Sequence, residues 1–167
     1  FGAVQCTPQS PNCLFCPLSG SCRALSEGKV QQLPVKQHRT KTTNRYFNYI
    51  YVRMGAHTLI HKRTEDDIWK NLFELPLVET EKDLSEEEFL ACPQFHALFA
   101  EGEVRMVRTL LRGVKHVLSH RVIYTNFYEV TLPDNSSSFS SYQRVAVEDL
   151  GRYAVPRLIH AFLEKYV

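Results

Sequence analysis

Apolar and polar positions follow different rhythms along this chain, and each rhythm predicts a different element. Over residues 46–54 (Tyr-Phe-Asn-Tyr-Ile-Tyr-Val-Arg-Met) aromatic and β-branched side chains occupy both parities, the pattern of a strand covered on both faces. Gly55-Ala56 interrupts it, residues 57–63 then alternate, and the two runs together predict a β-hairpin. Residues 66–76 read as a loop running into a short strand. Ser85 and Glu88 have the spacing of a capping box, and Phe89, Leu90 and Phe95 give the helix they start an apolar stripe that Pro93 should break or restart. Residues 103–111 and 122–132 predict strands, with 113–120 lying between them. A polar loop at 134–141, a short strand at 144–147 and an amphipathic helix at 156–166, with Pro156 near its first turn, complete the order. Mixed strands with two helical regions make an α+β domain.

The front of the chain lacks such rhythm. After Cys22 the residues up to Asn44 are polar and basic and read as a linker, in which Leu33-Pro34-Val35 favours an extended path and Lys36, His38, Arg39 and Lys41 are available to phosphates. At 167 residues the chain allows one domain of ordinary size with an appendage, and 44% hydrophobic with 23% charged residues is the composition of a globular protein. No apolar run reaches the ~18 residues of a membrane span. Phe1 and the uncharged residues behind it are neither a native start nor a secretory signal, so the chain reads as a piece of a longer protein. The net charge of +2 conceals an asymmetry: residues 1–63 carry nine Lys or Arg against Glu27 alone, whereas residues 64–102 carry Lys70 and Lys82 against eleven acids. A basic front beside an acidic middle suits a surface that meets a polyanion on one side.

Four of the five cysteines, Cys6, Cys13, Cys16 and Cys22, fall within seventeen residues threaded by Pro8, Pro11, Pro17 and Gly20. Such a segment lies on no regular helix or strand but wraps a compact point, as a metal centre requires. Thiol chemistry alone leaves three readings: disulfides, zinc, or an iron-sulfur cluster. Cys92 reads as an inert packed thiol.

The gaps of six, two and five residues between these cysteines resemble the [4Fe-4S] loop that closes the helical domain of endonuclease III and of MutY-type adenine DNA glycosylases. Residues 67–76 resemble the corresponding segment of Nudix-fold (MutT-like) domains. A Nudix hydrolase converges glutamates on Mg²⁺ from one helical face, whereas Glu86, Glu87 and Glu88 are consecutive and fan over about 200° at 100° per residue. The order of four-cysteine loop, basic linker and Nudix-like domain without its hydrolase pattern resembles the C-terminal half of the MutY-type family. That resemblance implies residues 1–25 as an irregular iron-sulfur loop at the end of a catalytic domain, 26–44 as the linker, and 45–167 as a Nudix-like mixed-sheet domain that recognises lesions. It implies a [4Fe-4S] cofactor on Cys6, Cys13, Cys16 and Cys22, with the cluster missing if its supporting helices are cut away. Leu118, Ser119 and His120 match the family's Phe-Ser-His lesion probe, with leucine in place of the aromatic. Lys36, His38, Arg39, Lys41 and Arg45 are the expected DNA-backbone contacts.

The implied activity is base-excision repair: the whole protein removes adenine mispaired with 8-oxoguanine or guanine, and this part recognises 8-oxoguanine. The family's catalytic acidic pair has no match here, so the chain alone should be inactive. Expected partners are double-stranded DNA carrying such mispairs and replication or mismatch-repair proteins, in a reducing intracellular compartment, the cytoplasm or nucleoid in a bacterium. Two rival readings remain: a stand-alone Nudix-type hydrolase with a metal module, and a non-catalytic iron-sulfur or zinc module for protein contacts or electron transfer.

Overall fold

The structure, a computed structural model, describes residues 4–7, 9–33 and 42–167. Four of the basic linker residues, Lys36, His38, Arg39 and Lys41, lie outside them. The chain divides into two units, Phe1–Lys41 and Thr42–Val167.

In the first unit a 3-10 turn, Ser19–Ser21, leads into a single helical turn α1, Arg23–Ser26. Turns closed by Cys16 N–H to the Cys13 carbonyl (3.2 Å) and Cys22 N–H to the Ser19 carbonyl (3.3 Å) fold the cysteine-bearing segment. None of its described residues is buried.

The second unit is built from strands β1 (Thr43–Arg53), β2 (His57–Lys62), β3 (Phe73–Glu74) and β4 (Leu77–Thr80), helices α2 (Glu86–Leu90) and α3 (Pro93–His96), strands β5 (Met106–Val117), β6 (Arg121–Thr131) and β7 (Gln143–Ala146), and helix α4 (Arg157–Tyr166). A four-stranded mixed sheet has the order β4-β1-β6-β5, and a three-stranded one the order β3-β2-β7. β1 runs parallel to β6 from Thr43 opposite Arg121 to Arg53 opposite Thr131, and antiparallel to β4. Both faces of the larger sheet are covered, which is why both parities of β1 are apolar. Phe47, Tyr49 and Tyr51 join Ile123, Phe127 and the α4 residues Leu158, Ile159 and Phe162 in one core, to which Ile60 and Val145 of the smaller sheet and Leu75, between β3 and β4, also belong. Ile50 and Val52 join Tyr128, Val130, Phe89 and Phe95 in the other, and Cys92 packs at its margin. Phe127 lies flat on Phe162, ring centroids 4.1 Å apart, so sheet and α4 meet through a stacked aromatic pair.

Local signals were obeyed where they were self-contained. The Ser85 hydroxyl accepts from Glu88 N–H (3.1 Å) while the Glu88 carboxylate accepts from Ser85 N–H (2.7 Å), and Pro93 opens α3 at its first turn. Two expectations need correction. The β1–β2 hairpin is reduced to one bridge, Met54 with His57, after which the strands enter different sheets. β6 pairs with β1 along its whole length and β4 takes the opposite edge at Tyr46–Tyr49, while β2 turns away to pair with β3 and β7. The strand expected to end at Leu111 continues to Val117, through register shifts between Thr109 and Val114. Gly113 adopts φ +68° there and its N–H donates to Asn126 Oδ1 (2.9 Å), so a bulge carries the strand past the irregularity.

Candidate nucleic-acid interface

Because β5 extends to Val117 and β6 starts at Arg121, the three residues Leu118, Ser119 and His120 form the tip of a long hairpin. The tip closes by Leu118 N–H donating to the Arg121 carbonyl (2.8 Å), and the His120 carbonyl accepts from Thr43 N–H at the start of β1 (3.1 Å). Ser119 and His120 are exposed. Leu118 is half-buried against the first core, so it seats the tip rather than projecting from it. Its neighbour Val117, 64% exposed, is the apolar side chain that projects here. The His116 ring sits 5.8 Å from the Trp69 ring, and the sequence pair His116 and His120 belongs to no metal-ligand group: among the described residues no three His, Cys, Asp or Glu side chains come together to hold an ion.

Beneath the tip lies an ion-pair network that sequence reasoning missed. Asp67 is gripped by three arginines. Its Oδ2 accepts from Arg45 Nη1 (2.5 Å) and Arg63 Nη2 (3.2 Å), and its Oδ1 accepts from Arg121 Nη1. Arg63, itself buried, donates to both Glu74 oxygens (2.8 and 2.7 Å) and through Nε to the Ile68 carbonyl (3.0 Å); Glu74 also accepts from the Tyr49 hydroxyl (2.9 Å). Burial pushes the Asp67 carboxyl up, but hydrogen bonds from Arg45, Arg121 and the Ile68 amide outweigh it and hold the group well below the usual carboxylate range. Burial is also the main force lowering His61, whose ring lies 3.3 Å from Glu74.

Arg45, expected at the DNA backbone, is committed elsewhere. It forks onto both Glu79 oxygens (2.5 and 2.6 Å) besides reaching Asp67, and its side chain is 18% exposed. The cation lies inside the network rather than on an open surface. The only signal in sequence was the run of acids that begins the middle of the chain, which cannot say which arginine each will take.

The glutamates of α2 do not gather. Glu88 is engaged by Ser85 and by Lys82 Nζ (3.2 Å), whereas Glu87 points to solvent as an exposed side chain. In the first unit Cys6, Cys13, Cys16 and Cys22 all line one small cavity of about 30 Å³, with Gln5, Asn12 and Leu25. All are free thiols, so the disulfide reading finds no bridge among them. The titratable donors lining this cavity are all sulfur, the donor type that zinc and iron-sulfur clusters take, but the thiols are not gathered as a metal-ligand group in this structure.

A family model described as NUDIX domain matches residues 48–165. An adenine DNA glycosylase of Buchnera aphidicola subsp. Schizaphis graminum is 34% identical over 80 residues, covering 48% of this chain and 23% of that protein. Another, from Buchnera aphidicola subsp. Acyrthosiphon pisum, is 25% identical over 169 residues, covering 99% of this chain and 45% of that protein. The chain thus spans less than half the length of these curated relatives. The C-terminal domain of mouse MUTYH, solved in complex with human PCNA, superposes with a TM-score of 0.58 at 14% identity over 73% of this chain and 86% of that one. A MutT chain from work on Aliivibrio salmonicida and Vibrio cholerae gives 0.52 at 16% identity over 74% and 96%. At these identities the structural likeness shows the fold. The chain belongs to the NUDIX domain family, and its likeness is to the Nudix-like C-terminal part of MutY-type adenine DNA glycosylases.

Proposed function

We propose that this chain is the lesion-reading part of an adenine DNA glycosylase that removes adenine mispaired with 8-oxoguanine or guanine in base-excision repair. The observation that carries the reading is the likeness to adenine DNA glycosylases, which extends over 99% of the chain in one relative. The exposed hairpin tip gives that likeness a physical means. Guanine N7 is an acceptor, whereas in 8-oxoguanine N7 carries a proton and C8 an oxygen. A hydroxyl accepts from the first and a backbone N–H donates to the second, and Ser119 supplies both on a tip pinned by β5, β6 and β1. Val117 presses apolar surface toward the duplex beside it while Leu118 seats the turn. Lys36, His38, Arg39 and Lys41 contact phosphates, and Arg45 helps hold the domain together, a reading its pairs with Glu79 and Asp67 support.

Cys6, Cys13, Cys16 and Cys22 would hold the [4Fe-4S] cluster, which when bound supplies iron–thiolate cross-links to a segment without a buried core. The chain works on DNA inside the cell, and the mouse domain's complex with human PCNA supports a contact with a replication protein. Adenine chemistry belongs to residues outside this chain. The full-length enzyme should therefore release adenine from a duplex pairing it with 8-oxoguanine, and the purified 167-residue chain should release none. Adenine release by the chain alone, or Mg²⁺-dependent phosphate release from nucleotides that requires Glu86, Glu87 and Glu88, would overturn the assignment.

A further inference from the structure

The hairpin tip is tied down at three points, and they differ in kind. Two are backbone hydrogen bonds within the sheet: Leu118 N–H to the Arg121 carbonyl and Thr43 N–H to the His120 carbonyl. The third is a side-chain tie to another part of the domain, from Arg121, the residue directly after His120, to Asp67 in the loop between β2 and β3. Resting on the reading that this tip recognises the lesion, we infer that Asp67 is a positioning residue for lesion recognition. It holds Ser119 and His120 in place through Arg121.

Asp67 is built for that work. Its two oxygens are divided, Oδ2 toward Arg45 and Arg63 and Oδ1 toward Arg121, so two arginines fix the carboxylate while it fixes the third. Those two are themselves immobilised, Arg63 on the buried Glu74 and Arg45 by a fork onto Glu79. A carboxylate held this way has one orientation, and the planar guanidinium of Arg121 inherits it. The loop itself is shaped for the purpose. Trp69 and Asn71 adopt φ of +60° and +70°, conformations that non-glycine residues rarely take and that cluster at functional sites. Arg63 N–H donating to the Leu72 carbonyl (2.9 Å) and Asn71 N–H donating to the Arg63 carbonyl (2.8 Å) close the two ends of the loop on each other just past β2. From it, Trp69 meets Phe47 in the core on one side (6.1 Å) and His116 on the hairpin on the other (5.8 Å), a second contact running parallel to the ion pair. The lowered pKa of Asp67 keeps the tie charged through the neutral and mildly acidic range.

The test uses the full-length enzyme and reads the ratio of affinities for duplexes with adenine opposite 8-oxoguanine and opposite guanine. Arg121→Gln leaves Asp67 paired with Arg45 and Arg63, so the fold is kept; Asp67→Asn is the stricter variant. Each should lower the ratio by about threefold or more, and by less when Ser119→Ala is already present, because part of what they hold in place is the Ser119 hydroxyl. Equal weakening for both duplexes would make Arg121 a phosphate contact, and an unchanged ratio in Arg121→Gln would remove Asp67 from recognition; either result overturns the inference. Amide hydrogen exchange separates this failure from failure of the reading beneath it. If Ser119→Ala leaves the ratio unchanged, the tip does not read the lesion and the recognition role of Asp67 falls with it. Faster exchange at Leu118 in Arg121→Gln then still shows the mechanical tie, and unchanged exchange shows that the tie is absent as well.

Discussion

The cysteine-bearing unit and the Nudix-like domain are stabilised by opposite means. Among the described residues up to Leu33 none is buried, and Leu14 and Phe15 stand 85% and 75% exposed, whereas residues 47–52 of β1 are at most 2% exposed. A four-residue helix and a three-residue 3-10 turn are far too short to persist by themselves. The first unit has no buried core of its own, and the proposed cluster would supply its cross-links; the second has two aromatic-rich cores around a doubly covered sheet. The difference also divides the labour. In the proposed reading, the region with the most recognisable residues is a staple, and the region with the less recognisable surface presents the tip that meets DNA.

That contrast can be broken from either side. Replacing Cys13 and Cys16 by Ser in the full-length enzyme should abolish bound iron and its visible absorption while leaving the unfolding midpoint of the Nudix-like domain in place; a midpoint that falls with the iron would show that the two depend on one stabilising source. Conversely, Phe127→Ala removes a ring stacked on Phe162 and lying 5.6 Å from Tyr49, and should cost the second domain about 3–5 kcal/mol in equilibrium unfolding with iron content unchanged. A smaller effect sharpens the picture inside that domain. Glu103 accepts hydrogen bonds from the Ser136 and Ser138 hydroxyls and the Ser137 amide, which hold its pKa down at about 2 against an ordinary 4.5. A carboxyl depressed in the folded state contributes stability that is full above its ordinary pKa and is lost as pH falls through the folded value. Between about pH 4.5 and 2 the loop at 134–140 should therefore exchange its amides faster while β1 and β6 stay protected; uniform loosening of loop and sheet would contradict the local latch.

What was legible in the sequence was whatever a few neighbouring residues decide. Ser85 and Glu88 announce their own cap, and Pro93 its own helix start. The β1–β2 hairpin shrank to one bridge because the partners that decide pairing lie elsewhere in sequence: β2 goes to β3 and β7, and β1 to β4 and β6. β5 outran its expected end because a side chain on β6, Asn126, supports the bulge at Gly113. The candidate site shows the same limit. Ser119 and His120 were named through a family resemblance, and the hairpin places them at an exposed tip, but Arg121 finds Asp67 across 54 residues, and no periodicity or spacing connects them. Arg45 was misjudged for the same reason: a cation in a basic stretch looks free until the fold brings Glu79 and Asp67 to it.

The claim that this domain reads the lesion through its hairpin tip is tested most directly by one comparison of affinities. In the full-length enzyme, the preference for a duplex with 8-oxoguanine opposite adenine over one with guanine opposite adenine should shrink by ~1–3 kcal/mol when Ser119 becomes Ala, the worth of a good base contact. A preference that survives the substitution at full size would contradict it.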